Sequence, residues 1–387
     1  MILVASESVG RTHTLNQVTR ELSLNLVCFG SAVTLERLMS GPVRRIVLLN
    51  EDDVNDGVIA TLTKSDGAGR FGLILSANRE ALRTSSRASL LDEIAEFTNV
   101  EWINPDYDID CLCHAARECR RRMLRISKHE LEQAILERQF LIQYQPKVER
   151  SEGTEWITRE AEALLRWRHP IHGVLGPLEF LPEVEAFDLS ALVGEIVLRE
   201  AALQLKKWRE QGLKLNSCIN LASSLLSNPD LPETYAEIIG KYKLECSNFT
   251  FEVTERDVAN SDAPHLRVLK AFREQGFRIS LDDFGVAASS LGTFEQLPFD
   301  EIKIHASALR RARENPVALK VLAAVSGLAH SLGMSVCAEG VEDEETFEFL
   351  HSIGCDKMQG FLISEAVMPD IIRRVYSARP KETVNVA

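Results

Sequence analysis

Polar side chains end seven of the apolar runs in the second part of the chain. Carboxylate and amide oxygens in one group favour a hard divalent cation, Mg²⁺ or Mn²⁺, over a thiolate-bound metal. A lysine among them could orient or deprotonate a metal-bound water. Any one of these residues could instead be a strand cap or a surface group, but together they predict a metal site. They are Glu162, Asn220, Glu252, Asp282, Lys303, Glu339 and Gln359.

The elements that would bring these residues together are eight short apolar runs separated by helical patterns. This alternation over roughly 250 residues is typical of a (β/α)₈ barrel, and a doubly wound open sheet is the competing fold. The C-terminal ends of barrel strands meet at one mouth, so residues distant in sequence would converge there. The runs are FLIQYQPKV, AEALLRW, SCINLA, FTFEVTE, FRISLDDFG, FDEIKIH, SVCAEGV and DKMQGFL.

The first part of the chain shows a shorter form of the same alternation. Its apolar runs predict a small doubly wound α/β domain with a parallel sheet. These runs are MILVA, LNLVCF, RRIVLL, FGLIL and VEWI. A charge-rich helical stretch follows from Asp108, and we place the domain boundary near Lys128. The expected domains are residues 1–127 and residues 128–387.

Charge and hydropathy narrow the classes of partner. The 387 residues include 44 Lys and Arg against 57 Asp and Glu, a formal net charge of −13. This balance opposes nonspecific binding to DNA, RNA or anionic membranes, so an anionic ligand needs a local cation. The apolar runs are too short for membrane insertion, and the first residues lack the features of a secretory leader. We therefore expect a cytoplasmic protein.

The eight cysteines are scattered, as expected of reduced thiols rather than of a disulfide framework. Only the segment CLCHAAREC groups them. Cys111, Cys113, His114 and Cys119 could be imagined as metal ligands there. The segment has an amphipathic helical pattern that spreads these side chains over different faces, so a helix without a metal is the favoured interpretation.

Eight short motifs follow one another in order along residues 129–370. They are YQP, EALLRW, INLAS, FEVTE, DDFG, IKI, AEGVE and QGF. In these motifs the chain resembles the EAL family of cyclic di-GMP phosphodiesterases. The resemblance implies a barrel that opens one phosphodiester of the cyclic dinucleotide, giving linear pGpG, with Mg²⁺ or Mn²⁺ as cofactor.

The resemblance also implies roles for the polar residues. Those matching metal ligands are Glu162, Asn220, Glu252, Asp282 and Glu339, with Asp283 contributing to a second ion. Lys303 matches the residue that helps to activate the attacking water, and Glu162 and Glu339 share the catalytic centre with it. A metal pair can lower the pKa of a bridging water and neutralise phosphoryl oxygens during in-line attack.

Further matches concern the substrate. Arg166 resembles a contact to the substrate phosphate, and Gln145 resembles a contact to a guanine edge. Leu164, from the EAL letters themselves, and Gln359 are assigned to the same substrate-binding group, with Gln359 on its water or metal side. Glu255 resembles the glutamate that holds the loop after DDFG.

Two departures from the family pattern leave an alternative open. Ala287 stands where the family loop DDFG-x-G has its second glycine, and an alanine is strained there if φ is positive. His305 replaces an Asp near the catalytic centre, either as a metal ligand or as a histidine satisfied outside the metal site. The alternative is a weak or inactive protein that binds cyclic di-GMP as an effector or interaction module.

The first part of the chain resembles a response-regulator receiver domain, though in fewer features. The acidic positions after the first strand are Ser6 and Glu7 here, and the phosphorylatable Asp position is Asn50, with Asp52 or Asp53 as a shifted alternative. Asn104 stands where receivers have Lys before Pro, and Ser76 matches the hydroxyl position. The expected domain is therefore a degenerate receiver that is not phosphorylated.

Interaction is the expected role of such a domain. We expect a homodimer and a possible protein partner bound through the receiver-like domain. The helix in CLCHAARECRRRMLRI is a candidate surface to relay these contacts, although a solvated linker helix is an equally good interpretation.

Overall fold

A computed structural model describes residues 2–6, 9, 12–22, 24–39, 45–66, 71–78, 94, 97, 99–150, 156–259, 263–285 and 299–377. The chain divides into two compact units. The first unit comprises Met1–Glu130 with Leu178–Glu183, and the second comprises Leu131–Pro177 with Val184–Ala387.

The first unit contains a parallel sheet of five strands in the order β2-β1-β3-β4-β5, which is a doubly wound order. The strands are β1 Ile2–Ser6, β2 Asn25–Phe29, β3 Arg45–Asn50, β4 Phe71–Ser76 and β5 Val100–Ile103. Successive side chains point to opposite faces, so Ile46 and Leu48 enter one apolar core while Val47 and Leu49 enter the other. The predicted α/β domain with a parallel sheet is confirmed.

Four helices are described in this unit: α1 Thr12–Glu21, α2 Ala32–Met39, α3 Asp56–Asp66 and α4 Ile109–Leu124. Helix α4 begins at an Asp108 cap, whose carboxylate accepts the Cys111 amide at 2.8 Å. Cys113 and Cys119 are buried in the core, whereas His114 is exposed. Within the described residues these side chains form no group of converging metal ligands.

The second unit is a closed barrel, so the open-sheet alternative is wrong. Its eight strands are β6 Phe140–Arg150, β7 Trp156–His169, β9 Asn216–Asn220, β10 Phe249–Thr254, β11 Arg278–Phe284, β12 Glu301–Ile304, β13 Ser335–Ala338 and β14 Lys357–Met358. Pairing of β6 with both β7 and β14 closes the ring, and the short β8, Gly173–Leu175, adds to β7. Strand β6 is antiparallel to both neighbours, whereas the remaining ring pairs are parallel.

The helices that follow α4 in the described residues connect these strands. They are α5 Lys128–Leu136, α6 Leu181–Ala186, α7 Ser190–Glu210, α8 Leu231–Gly240, α9 Glu255–Ala259, α10 Ala263–Glu274, α11 Ala306–Glu314, α12 Pro316–Ser331, α13 Glu344–Ser352 and α14 Ile372–Ser377. Gly276 follows α10 with φ +91°, and Gly333 follows α12 with φ +76°, as the sequence pattern predicts for helix ends. Among the described helices, none has the length and apolar character needed to cross a bilayer.

Candidate active site

Six of the seven polar residues singled out in the sequence lie within two residues of the C-terminal end of a barrel strand or directly follow it. The strand-end prediction is wrong for Glu162, which lies in the middle of the long strand β7. Glu252 on β10 is in register with Asn220, the last residue of β9. Asp282 lies on β11 and Lys303 on β12, while Glu339 follows β13 directly and Gln359 follows β14. We call the six charged residues of this end the mouth cluster: Glu162, Glu252, Asp282, Asp283, Lys303 and Glu339.

Lys303 occupies the centre of the mouth cluster. Its Nζ lies 2.6 Å from Glu339 Oε1, 2.8 Å from Glu252 Oε2 and 3.2 Å from Asp282 Oδ1. Glu162 Oε2 lies 3.9 Å away. Burial disfavours its charge, but these carboxylates raise the pKa of Lys303 well above its ordinary value. In this arrangement the ammonium can donate hydrogen bonds and accepts no proton.

Two amides hold the Glu162 carboxylate. Asn220 Nδ2 donates to Oε1 at 2.8 Å, and Gln359 Nε2 donates to Oε2 at 2.7 Å. Burial raises the pKa of Glu162, but Lys303, Lys147 and the two amides outweigh it and lower the pKa to about 2. The buried glutamate of the EAL letters is therefore ionised and fixed in one orientation.

The remaining buried carboxylates of the mouth cluster hold protons more tightly than usual. Burial raises the pKa of Glu252 to about 7 and that of Asp282 to about 6, in spite of the nearby lysines. Burial also raises the pKa of Glu339. Several carboxylates crowded together around one ammonium leave negative charge that an additional cation would neutralise.

Three of these residues offer a candidate metal position. Oxygen atoms of Asp282, Asp283 and Glu339 lie within 4.8 Å of one another, the one such group of acidic, His or Cys ligands in the described part of the chain. Asp283 has a left-handed φ of 57°, and its amide donates to Asp282 Oδ1 at 2.8 Å. This all-oxygen donor set fits a hard divalent cation. Glu162 and Glu252 lie outside this group and contact lysine or amides instead.

Gln359 is placed by close backbone packing. Its carbonyl accepts the Val341 amide at 3.1 Å, and a Cβ on the following Gly360 would lie 2.2 Å from the Val341 carbonyl oxygen. Only glycine fits there, which accounts for the QG pair. Gln359 Oε1 is buried and has no hydrogen-bond partner, so it can accept a hydrogen bond or coordinate a cation.

The predicted substrate contacts lie on the antiparallel pair β6–β7. Gln145 accepts from Gln359 Nε2 at 2.9 Å and donates to the Ser364 carbonyl at 3.1 Å. Arg166 Nε donates to Gln143 Oε1 at 2.9 Å, and the half-buried Leu164 is in register with Gln143. The antiparallel direction of β6, which the sequence did not indicate, brings Gln145 directly opposite Glu162.

Two charged side chains hydrogen-bond to the backbone of Gly285, at the start of the loop after DDFG. Glu255, at the first position of α9, accepts the Gly285 amide at 3.3 Å. Arg311 on α11 donates to the Gly285 carbonyl, a contact that the sequence did not reveal. Ala287 lies outside the described residues, so its effect on the loop stays a prediction.

His305 serves as the cap of helix α11. Its Nδ1 accepts the Ser307 amide at 3.2 Å and shares a hydrogen bond with the Ser307 hydroxyl at 2.9 Å. Among the described residues it belongs to no group of converging metal ligands. The geometry thus favours a histidine that forms its hydrogen bonds outside the metal site over a histidine that binds the metal.

Sequence reasoning missed a set of charged residues one step deeper in the barrel. Lys147 Nζ lies 2.6 Å from Glu252 Oε1. Glu160, Glu301 and Lys357 each precede a singled-out residue by two positions, and a spacing of two in a strand places both side chains on the same face. This two-residue spacing was the signal in the sequence that could have identified these charged residues.

Comparison with known proteins decides the family. The family model described as the EAL domain matches residues 128–366. The chain belongs to the EAL family.

Two curated relatives illustrate how similar the chain is to known proteins of this family. The EAL-family chain is 35% identical over 236 residues to the bifunctional diguanylate cyclase/cyclic di-GMP phosphodiesterase MucR of Pseudomonas aeruginosa, covering 61% of this chain and 34% of MucR. It is 30% identical over 247 residues to the cyclic di-GMP phosphodiesterase PdeR of Escherichia coli K12, covering 64% of this chain and 37% of PdeR. The chain thus spans about a third of the length of these relatives.

A solved structure supports the barrel. The MucR phosphodiesterase in complex with cyclic di-GMP is 34% identical to this EAL-family chain, with a TM-score of 0.58, covering 63% of this chain and 98% of that one. The predicted (β/α)₈ fold of the EAL domain is confirmed.

The positions compared with receivers lie along one edge of the first unit's sheet. Ser6, Asn50 and Ser76 are the last residues of β1, β3 and β4, and Asn104 follows β5. Asp53 Oδ1 accepts the Ser6 hydroxyl at 2.8 Å, and its Oδ2 accepts the Asn50 amide at 3.0 Å. Asp52 is exposed, and Glu7 lies outside the described residues.

Proposed function

We propose that the second unit hydrolyses cyclic di-GMP to linear pGpG with a divalent metal, Mg²⁺ or Mn²⁺. The observation that carries the proposal is the mouth cluster, in which Lys303 lies among four carboxylates at the C-terminal end of an EAL barrel. Relatives of this family named as cyclic di-GMP phosphodiesterases support it.

The residues that would hold the metal are Glu162, Asn220, Glu252, Asp282, Asp283 and Glu339. Bound divalent ions would activate water and neutralise the phosphoryl oxygens. Lys303 would donate to the attacking water or to a phosphoryl oxygen, because its raised pKa keeps it protonated. Glu162, held by two amides, would keep its charge towards the metal.

The substrate would lie across β6 and β7. Arg166 would pair with a phosphate of the dinucleotide, since a guanidinium can donate two parallel hydrogen bonds to phosphate oxygens. Gln145 would contact a guanine edge, and Gln359 would present its unpartnered Oε1 to the substrate or metal side. Leu164, half-buried at the same end of β7, would provide apolar contact.

Product analysis by chromatography tests the enzyme proposal. Wild type with Mn²⁺ should convert cyclic di-GMP to pGpG, and Glu162→Ala should not. Turnover that survives in Glu162→Ala would show that the activity belongs to another site. Lys241→Met, an exposed lysine on the same unit, is the control for general effects of substitution.

A second candidate is an effector that binds cyclic di-GMP without turnover. It is favoured by His305, which caps a helix at a position where family members carry a carboxylate. Calorimetric titration with cyclic di-GMP in Ca²⁺, beside the product assay, separates the two candidates. Heat of binding without pGpG would support the effector, and no heat with any divalent ion would exclude both.

For the first unit we propose a receiver-like role in dimerisation or partner binding without phosphorylation. Asn50 cannot form an acyl phosphate, and Asn104 cannot supply the cation that stabilises one. Incubation with acetyl phosphate and Mg²⁺ followed by intact-mass measurement should give no adduct, and light scattering should show an unchanged dimer. An adduct on Asp52 or Asp53 with a changed oligomer would identify a working receiver.

A further inference from the structure

A second buried charge cluster lies beneath the mouth cluster. Lys357 Nζ lies 2.7 Å from Glu160 Oε2 and 2.8 Å from Glu301 Oε2. Arg278 Nη1 lies 3.0 Å from Glu160 Oε1, and the Ser280 hydroxyl donates to Glu301 Oε1 at 3.0 Å. We call Glu160, Arg278, Glu301 and Lys357 the floor cluster. Glu160 precedes Glu162 by two residues on β7, so it lies deeper in the barrel.

The floor cluster pairs equal numbers of carboxylates and cations. Its two carboxylates face two cations, and each carboxylate contacts at least one of them. Lys147 is therefore one cation more than the floor cluster needs for charge balance. Its Nζ lies 2.6 Å from Glu252 Oε1 but 3.5 Å from Glu301 Oε1, so its short contact is with the mouth.

A contribution to folding stability does not readily explain the burial of Lys147. Barrel interiors are dominated by bulky branched apolar side chains, and apolar replacement of a buried ion pair is often neutral or stabilising. Lys147 is 1% exposed and Glu252 is 1% exposed, so both charges have lost their hydration. The contact has a geometric consequence, because Lys147 holds Oε1 of Glu252 while Lys303 holds Oε2 at 2.8 Å.

We propose that Lys147 is a positioning residue that orients Glu252 for metal binding, through its 2.6 Å contact with Glu252 Oε1. The inference rests on the metal role of Glu252 in the proposed function. Partners that hold a metal ligand in place typically change metal affinity by about 10- to 100-fold when removed.

Two matched double variants test the inference. Lys147→Met/Glu301→Gln and Lys357→Met/Glu301→Gln each remove one buried lysine and the same glutamate. Only the first removes a contact to Glu252, and the second leaves Glu160 paired with Arg278. The measurement is calorimetric titration with Mn²⁺ in the absence of nucleotide, with circular dichroism to verify the fold.

The expected result is an Mn²⁺ Kd about 10- to 100-fold higher for Lys147→Met/Glu301→Gln and a Kd close to wild type for Lys357→Met/Glu301→Gln. Equal effects in both variants, or none in either, would overturn the inference, because a general packing role predicts equality. If the first variant fails to fold, Lys147→Gln is a polar replacement that still removes the ammonium contact to Glu252. An unchanged Mn²⁺ Kd for Lys147→Gln would likewise overturn it.

The same titrations separate this inference from the proposed function. Wild type that binds Mn²⁺ but forms no pGpG contradicts the proposed hydrolysis, while the comparison of the two double variants still decides the role of Lys147. Wild type that binds no Mn²⁺ overturns the inference directly, since Glu252 would then have no metal to be oriented towards.

Discussion

The mouth and the floor of the barrel use the same residue types in different proportions. The mouth cluster sets five carboxylates against Lys303, whereas the floor cluster sets two carboxylates against Lys357 and Arg278. The two clusters are connected through Lys147, which contacts Glu252 above and Glu301 below. Most side chains of both clusters are buried, so burial alone does not distinguish a functional cluster from a structural one.

The difference shows in the protonation of the carboxylates. At the mouth, burial raises the pKa of Glu252 to about 7 and of Asp282 to about 6, although the lysines and two amides lower that of Glu162. At the floor, burial opposes ionisation of Glu301, but Lys147 and Lys357 dominate and lower its pKa. A carboxylate excess leaves charge for a ligand to neutralise, whereas a balanced cluster is satisfied within the protein. Charge balance is therefore the property that points to a binding site.

The largest effect is expected on removing Lys303, the lysine of the mouth cluster. Lys303→Met should lower kcat for pGpG formation by roughly 10²- to 10³-fold, the range for losing one positioned hydrogen-bond donor that stabilises charge in the transition state. Initial rates with Mn²⁺ measure this, with the exposed Lys241→Met as control. A folded Lys303→Met protein with kcat near that of wild type would contradict the role given to Lys303.

At the floor the same type of substitution should affect stability instead. Lys357→Met leaves Glu160 and Glu301 with fewer partners, and breaking a buried ion pair costs about 3–5 kcal/mol of unfolding free energy. Urea denaturation of Lys357→Met and of Lys357→Met/Glu301→Gln measures it. The double variant should recover part of the loss, and a single variant as stable as wild type would show that the floor is not a balanced cluster.

Metal addition should raise the unfolding free energy by an intermediate amount. Mn²⁺ at a hundredfold excess over its Kd should raise the unfolding free energy by about 2.7 kcal/mol. Asp282→Asn, which removes one of three converging carboxylates, should lose most of this gain, and Lys357→Met/Glu301→Gln should keep it. Thermal unfolding with Mn²⁺ and then with EDTA gives both values. An equal gain in the Asp282 variant would place the metal elsewhere.

Much of the barrel and its mouth could be predicted from the sequence because polar residues interrupt apolar strands. Glu162 in AEALLRW and Lys303 in FDEIKIH both depart from the apolar pattern of their strands, Glu162 in the middle of β7 and Lys303 near the end of β12. All eight predicted strands are present. The direction of β6 was not predictable, since side-chain alternation is the same in parallel and antiparallel strands.

The floor cluster was not recognised in the sequence, for a different reason than the direction of β6. Glu160 and Lys357 are 197 positions apart in sequence, and neither marks a strand end that faces the mouth. Their alternation with Glu162 and Gln359 indicates a common face, but the pairing depends on closure of the ring. Local pattern thus indicates which side chains point inwards, and only the closed fold shows which charges meet.

Acid should weaken the floor by a smaller amount. Although burial opposes it, Lys147 and Lys357 lower the pKa of Glu301 below its ordinary 4.5, so the unfolded state takes up its proton first. The stability from Glu301 is thus present above about pH 4.5 and is lost as the pH falls further. Urea denaturation at several pH values should show the advantage of wild type over Glu301→Gln shrinking below that point. An advantage that grows in acid would contradict the sign.

The smallest effect is expected at the rim of the mouth, where His305 caps α11. His305→Ala removes the acceptor of the Ser307 amide and should cost about 1 kcal/mol of unfolding free energy, as for other lost helix caps. Because Nδ1 is used by the cap, the Mn²⁺ Kd of the variant should equal that of wild type. Urea denaturation and calorimetry give the two values, and His305→Asn, which keeps a capping oxygen, should restore the stability. A weaker Mn²⁺ affinity with unchanged stability would instead make His305 part of the metal centre and would extend the mouth cluster by one residue.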